Sequence, residues 1–510
     1  MMKERRVRTL TGGFAFAASL LMLAPVPVFA LGGHWEPPGI RPSGVSLASV
    51  LAKAGSAAGT PAAGYAQRVE HWNLSAGTTS LTVTVSVRGA DLRFDTPIDG
   101  ATYSQGRNDG DRWRRTPNGL VRLIGADVQG DDLDRWPLAF FPYDASDCTL
   151  LGEAFTPAPA WVIEYRPAHD SPHWFYYEES TGRLVREVFR EGSRNVTFDF
   201  SDVRAVDGAS RPFAWHISGA GGDADVKVLD VLPEPVETAT VALPASSDPA
   251  ATSSAASVAV PTRFYRASYL LVDVTVNGKS AAFIFDTGTS QILIDEGAAR
   301  RFGLRPAFGH AVVRELSTGG VTFHNIAAQT AFLKGFGADG ILGYDYFCGH
   351  IVHFDLGRGH IDLIAPGAFT PPSGARAIRA NFDQGMPLVA ATIGSAVTSR
   401  VVLDTGSLNV LVLRALYGGN ASQLRRIGIE RTSGGETVNF LEGPVAVANA
   451  TVAHIEFAGD RFNNDAIQVE VQPISDAVDF PIDAIFGLHL MAHYELWFDY
   501  DDGRIWMRPE

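Results

Sequence analysis

The 510-residue chain is expected to be mostly β: a curved antiparallel sheet domain followed by a β unit of two similar lobes. Three observations lead there. Short runs of alternating apolar and polar residues recur, as in Leu81-Thr82-Val83-Thr84-Val85-Ser86-Val87, and a period of two marks a half-buried strand. A stretch of Ala, Ser and Pro, residues 244–257, has no periodicity and separates the halves. In the second half one ordered set of features occurs twice, 118 residues apart, which reads as two homologous lobes.

The chain begins with basic Lys3-Glu4-Arg5-Arg6-Val7-Arg8, then an apolar run from Phe14 to Leu23, then Pro25, Pro27 and Val28-Phe29-Ala30. This pattern predicts a signal peptide over 1–30, cleaved after Ala30. The mature chain is then expected to be exported and soluble, in a bacterial periplasm. Residues 31–64, rich in Gly, Pro, Ala and Ser, are expected to be loosely ordered.

Residues 65–240 read as a β-rich module. Trp161-Val162-Ile163-Glu164-Tyr165-Arg166 alternates. Trp174-Phe175-Tyr176-Tyr177, a turn at Thr181-Gly182 and Arg183-Leu184-Val185-Arg186-Glu187-Val188 form a hairpin pattern, which Val196–Asp202 and Arg211–Ile217 extend. Residues 241–262 are expected to be a linker, 263–375 the first lobe and 376–510 the second.

The net charge of −14 excludes nucleic acid and anionic membrane surfaces as partners. Cys148 and Cys348 fall in different halves; they read as buried free thiols, with a disulfide between them as the alternative. Gly335-Phe336-Gly337-Ala338-Asp339-Gly340, with Asp355 downstream, matches a dinucleotide pattern but lacks the helix that such a site needs. The pairs His489/His493 and His350/His353 lack a third ligand, so no metal site is expected.

The duplicated set carries the chemistry. Phe283-Ile284-Phe285-Asp286-Thr287-Gly288-Thr289-Ser290 is followed by Asp339-Gly340-Ile341-Leu342-Gly343. Val401-Val402-Leu403-Asp404-Thr405-Gly406-Ser407 is followed by Asp483-Ala484-Ile485-Phe486-Gly487. An acidic residue between two apolar runs is costly unless the site uses it. Two such sites suggest that Asp286 and Asp404 meet. Two carboxyl groups about 3 Å apart cannot both ionise, so they share one proton and can polarise a water. Gly288 and Gly406 suit tight turns beside the carboxylates.

Over roughly residues 264–510 the chain resembles aspartic peptidases of the pepsin and retropepsin type, with lobes closer in size to retroviral ones. The resemblance implies hydrolysis of a peptide or protein substrate by an endopeptidase without metal or cofactor. It implies that Thr287 and Thr405 cross-bond the two loops and that Thr289 and Ser407 hydrogen-bond the carboxylates, so activity is expected on the acidic side of neutral. Both aspartates lie in one chain, so a monomer is expected. The family also covers its cleft with a flap hairpin. Thr318-Gly319-Gly320 and Ser433-Gly434-Gly435 are the candidates, each also readable as a surface turn.

Residues 65–235 more weakly resemble an outer-membrane lipoprotein-carrier half-barrel, through the aromatic strand, the Thr-Gly turn and Asp207-Gly208 before Pro212-Phe213. That resemblance implies a concave face for an acyl chain or extended peptide; the alternative is a packed module that positions the peptidase. The rival reading of the whole chain is a non-catalytic periplasmic protein that binds peptide or lipid.

Overall fold

A computed structural model describes residues 37–60, 66–124, 145–156, 158–166, 172–191, 194–219, 223–249, 251–252, 255–265, 269–355, 358–440, 443–471 and 482–510. The expected signal peptide and its cleavage site lie outside the described residues. No helix among the described residues is long and apolar enough to cross a membrane.

The molecule is mostly β. Among the described residues, the first half is one antiparallel sheet of thirteen strands. Six strands from Gln67–Ala76 to Val121–Ile124 run outward in order; seven more return, and the last, Ala224–Leu232, pairs with the first. The alternation buries Val83, Val85 and Val87 on one face. Asp99-Gly100, Asp109-Gly110 and Asp207-Gly208 close hairpins with φ positive at both residues, the turn whose twist matches the flanking strands. Trp72 packs edge-on against Phe94 at 5.6 Å and Trp215 at 5.2 Å within the core.

Residues 47–58 depart from the expected loose order. They form a helix, Leu47–Ala58, capped by Ser46, which accepts from the Ser49 amide. Val50 and Ala54, spaced i, i+4, are buried in the sheet's core. Small residues hid the amphipathic pattern. The helix packs on the buried face of the sheet, and the cavity beside Ala54, Ala57 and Tyr177 is about 20 Å³, room for about one water.

The expected linker is only partly one. Ser246 Oγ accepts from the Val121 amide, and the Ser247 amide donates to the Gly119 carbonyl. From Ser257 the chain is already a strand, Ser257–Tyr265, paired with His360–Ile364. Valines at alternate positions drive this, since Val258 and Val260 are buried.

The second half repeats one pattern. Lys279–Phe285 runs parallel to Gly340–Leu342, and Leu293–Asp295 crosses antiparallel beside it. Ala396–Leu403, Ala484–Phe486 and Val410–Val412 do the same in the second lobe. The lobes join where Ile351–Asp355 pairs with Tyr494–Asp499. There His353 stacks on Trp497 at 4.6 Å, with Asp362 and Glu495 at its two ring nitrogens. A single apolar core runs through both lobes.

Candidate active site

Each aspartate follows a strand whose last three residues are buried, Lys279–Phe285 or Ala396–Leu403. The amides of Asp286 and Asp404 donate to the carbonyls of Leu342 and Phe486, so each loop hangs on the apolar-apolar-Gly strand of its own lobe. The crossing occurs one residue later. Thr287 N donates to Thr405 Oγ1 at 3.0 Å and Thr405 N to Thr287 Oγ1 at 3.1 Å. The two hydroxyls donate onward, Thr287 to the Leu403 carbonyl at 2.7 Å and Thr405 to the Phe285 carbonyl at 3.0 Å. Both threonines are buried, so each bond has no water to replace it.

The glycines set the carboxyl groups face to face. A Cβ on Gly288 would lie 2.5 Å from Asp404 Cγ, and one on Gly406 would lie 2.6 Å from Asp286 Cγ. Within each loop the glycine amide donates to its own aspartate, at 2.7 Å in both cases.

The symmetry stops at the next residue. Thr289 Oγ1 donates to Asp286 Oδ2 at 2.8 Å. The Ser407 amide donates to the Asp404 carbonyl, but its hydroxyl donates to the Asn409 carbonyl at 3.4 Å rather than to the Asp404 carboxyl, which corrects the expectation that both hydroxyls hold a carboxylate. Serine lacks the β-methyl that restricts threonine to few rotamers. The electrostatics follow this difference. Burial pushes both carboxyls above the usual range; the Asp404, Thr289 and Gly288 hydrogen bonds pull Asp286 back, while the neighbouring Asp286 charge drives Asp404 further up. The pair shares one proton, and its titration belongs to the two carboxyls together.

The flap candidates lie elsewhere. Gly319-Gly320 is a hairpin tip with φ +56° and +94°, but a Cβ at Gly319 would lie 2.7 Å from Val260, so the tip rests on its own lobe's strand. Ser433-Gly434-Gly435 is not a tip. It lies inside the strand Ile429–Phe440, where the register shifts between Arg431 and Gly435. Paired glycines serve a bulge as readily as a turn. Gly335–Gly340 spans a short 3₁₀ turn and enters a strand, not a helix. Cys148 and Cys348 are buried free thiols.

Sequence reading missed Tyr269. Leu271 pairs with Ile284, so the antiparallel register carries Tyr269 alongside Asp286. Burial, then the charges of Asp286 and Asp404, raise its phenol above the usual value. Counting back along a predicted hairpin from Asp286 could have found it. Asn118 was also missed. Its side chain accepts from Ala327 N at 2.9 Å and donates to Ala327 O at 2.8 Å and Asp345 Oδ2 at 2.7 Å.

Residues 272–346 match the family model described as aspartyl protease. That span holds the first Asp-Thr-Gly and the first apolar-apolar-Gly strand, and the match supports an aspartyl protease family. No curated protein matches the chain. Among solved structures, the crystal structure of a LolA superfamily protein from Nitrosomonas europaea aligns over 39% of this chain and 98% of its own, with 15% identity and a TM-score of 0.30.

Proposed function

We propose that this protein is an exported, monomeric aspartic endopeptidase that hydrolyses peptide bonds with a water activated between Asp286 and Asp404. One observation carries the reading: two carboxyl groups from pseudo-equivalent loops face each other, locked by the crossed hydrogen bonds of Thr287 and Thr405. Asp286, with the Thr289 and Gly288 donors, is the ionised base that takes a proton from the water. Asp404 holds the shared proton and gives it to the substrate carbonyl oxygen as the water oxygen bonds to carbon. In the collapse Asp286, now protonated, gives its proton to the amide nitrogen and Asp404 takes one back from a hydroxyl of the tetrahedral intermediate. The C–N bond breaks, which leaves an acid and an amine and restores the singly protonated pair. Apolar groups flank the aspartates on both sides, with Ile284, Leu293 and Ile341 in one lobe and Val402, Leu411 and Ile485 in the other. They exclude water and strengthen the electrostatics of the pair.

The test is hydrolysis of a broad peptide mixture from pH 3 to 8, with Asp286→Asn and Asp404→Asn beside the wild type. Loss of cleavage in either variant is expected. Cleavage that persists in both would overturn the mechanism.

A further inference from the structure

The outermost strand pair of the first sheet, Asp111–Arg115 and Val121–Ile124, forms a hairpin that touches both lobes of the second half. On the first-lobe side, Asn118 is clamped to Ala327 and Asp345, and Arg122 Nη1 donates to Ser290 Oγ at 3.2 Å. Ser290 follows Thr289, the residue that holds Asp286. On the second-lobe side, Gln384 Nε2 donates to the Leu123 carbonyl at 3.2 Å. A Cβ at Gly385 would lie 2.7 Å from Leu120 Cδ2 and 2.8 Å from Ser290 Cβ. Leu388 pairs with Val402, so the chain just before it, including Gln384 and Gly385, runs back alongside the Asp404 loop. The hairpin therefore meets the segment flanking each aspartate.

Its placement is built in. Phe308, at the end of the first lobe's helix-turn segment, is buried in the core of the first sheet. His310 is hydrogen-bonded to Tyr103, and the Val312 amide donates to Asp99. Between the hairpin and the first lobe lies a cavity of about 30 Å³ whose lining includes Arg114, Arg122, Gln291 and Gln329. With Arg122 on Ser290, basic residues give this corner a positive potential.

We propose, resting on the peptidase reading, that this hairpin is the end wall of the substrate cleft. Arg122 is its specificity-determining residue, and it favours an acidic substrate side chain at the outermost subsite on the Ser290 side. The sheet domain is then a part of the enzyme's binding surface. Charge complementarity at such a contact selects among substrates more than it speeds the chemistry, so its signature lies in KM.

The test is cleavage-site profiling of a peptide library with the full chain, Arg122→Ala, Arg122→Glu and Asp286→Asn. The wild type is expected to favour Asp or Glu at one position remote from the cleaved bond. Arg122→Ala should lower kcat/KM for those peptides about 10-fold through KM, a clearly larger loss than for neutral peptides. Arg122→Glu should turn the preference toward Lys and Arg. An unchanged profile, an equal loss for every peptide or a gain for every peptide would overturn the proposal, while the Asp286→Asn control still upheld the peptidase. A library cut by neither wild type nor variant would sink the peptidase reading, and this proposal with it.

Discussion

Thr289 donates its hydroxyl to Asp286 at 2.8 Å, and the equivalent Ser407 turns away to the Asn409 carbonyl. One carboxyl of the pair therefore has a hydroxyl donor that the other lacks. The two aspartates differ by geometry before any substrate arrives.

Thr289→Ala removes a donor that favours the ionised Asp286, so the Asp286 carboxyl rises. The acidic limb of the pH–rate profile is expected to move to higher pH by about one unit, because a hydrogen bond to a charged group is worth about 1.5–3 kcal/mol. Thr289→Ser, whose hydroxyl can still reach Asp286 but is less restricted, should move the limb less than Thr289→Ala does. A limb that moves to lower pH, found by measuring kcat/KM from pH 3 to 8, would contradict the role given to Thr289.

Gly288→Ala and Gly406→Ala each place a methyl within 2.6 Å of the opposite aspartate's carboxyl carbon. The carboxyls must part. A misplacement of about 1 Å can cost about 100-fold in rate, so each variant is expected to lose at least that much turnover. A folded variant with near wild-type kcat would show that the pair tolerates separation.

Asp345 predicts a pH-dependent stability. Burial pushes its carboxyl up to about 7, although Asn118 donates to it. The unfolded chain ionises this group near 3.8, so the folded state binds more protons between those values. The penalty is absent below about pH 4, grows as the pH rises and is complete above about 7. Asp345→Asn should leave the melting temperature unchanged at pH 4 and raise it at pH 8. The gain is up to about 4 kcal/mol, at about 1.4 kcal/mol per unit. A gain confined to acid would reverse the sign and refute the account.

Phe308 joins the two halves of the molecule through burial in the first sheet's core. Phe308→Ala is expected to cost about 3–5 kcal/mol, the usual loss for a buried phenylalanine, read by urea unfolding at neutral pH. A loss below about 1 kcal/mol would mean that the sheet's core closes without it.

The hairpins and the strand alternation were legible because their causes are local. Asp207-Gly208 marks a turn since both residues tolerate positive φ, and Val83, Val85 and Val87 alternate since a strand has a period of two. The helix at 47–58 was not legible, since Ala and Gly give little contrast between its faces. Gly434-Gly435 misled because the same dipeptide suits a tip and a bulge, and only the partner strand decides between them.

By itself, the sequence determined the β class, the duplication and the two Asp-Thr-Gly loops with their apolar frames. These rest on side-chain periodicity and on the cost of an acid among apolar neighbours, both readable within a few residues. Only the tertiary structure decided that Thr289 and Ser407 diverge, that Gly319-Gly320 lies on Val260, and that Arg122 meets Ser290 across 168 positions. Those outcomes depend on which surfaces pack together. A contact between distant segments leaves no period and no spacing in either one.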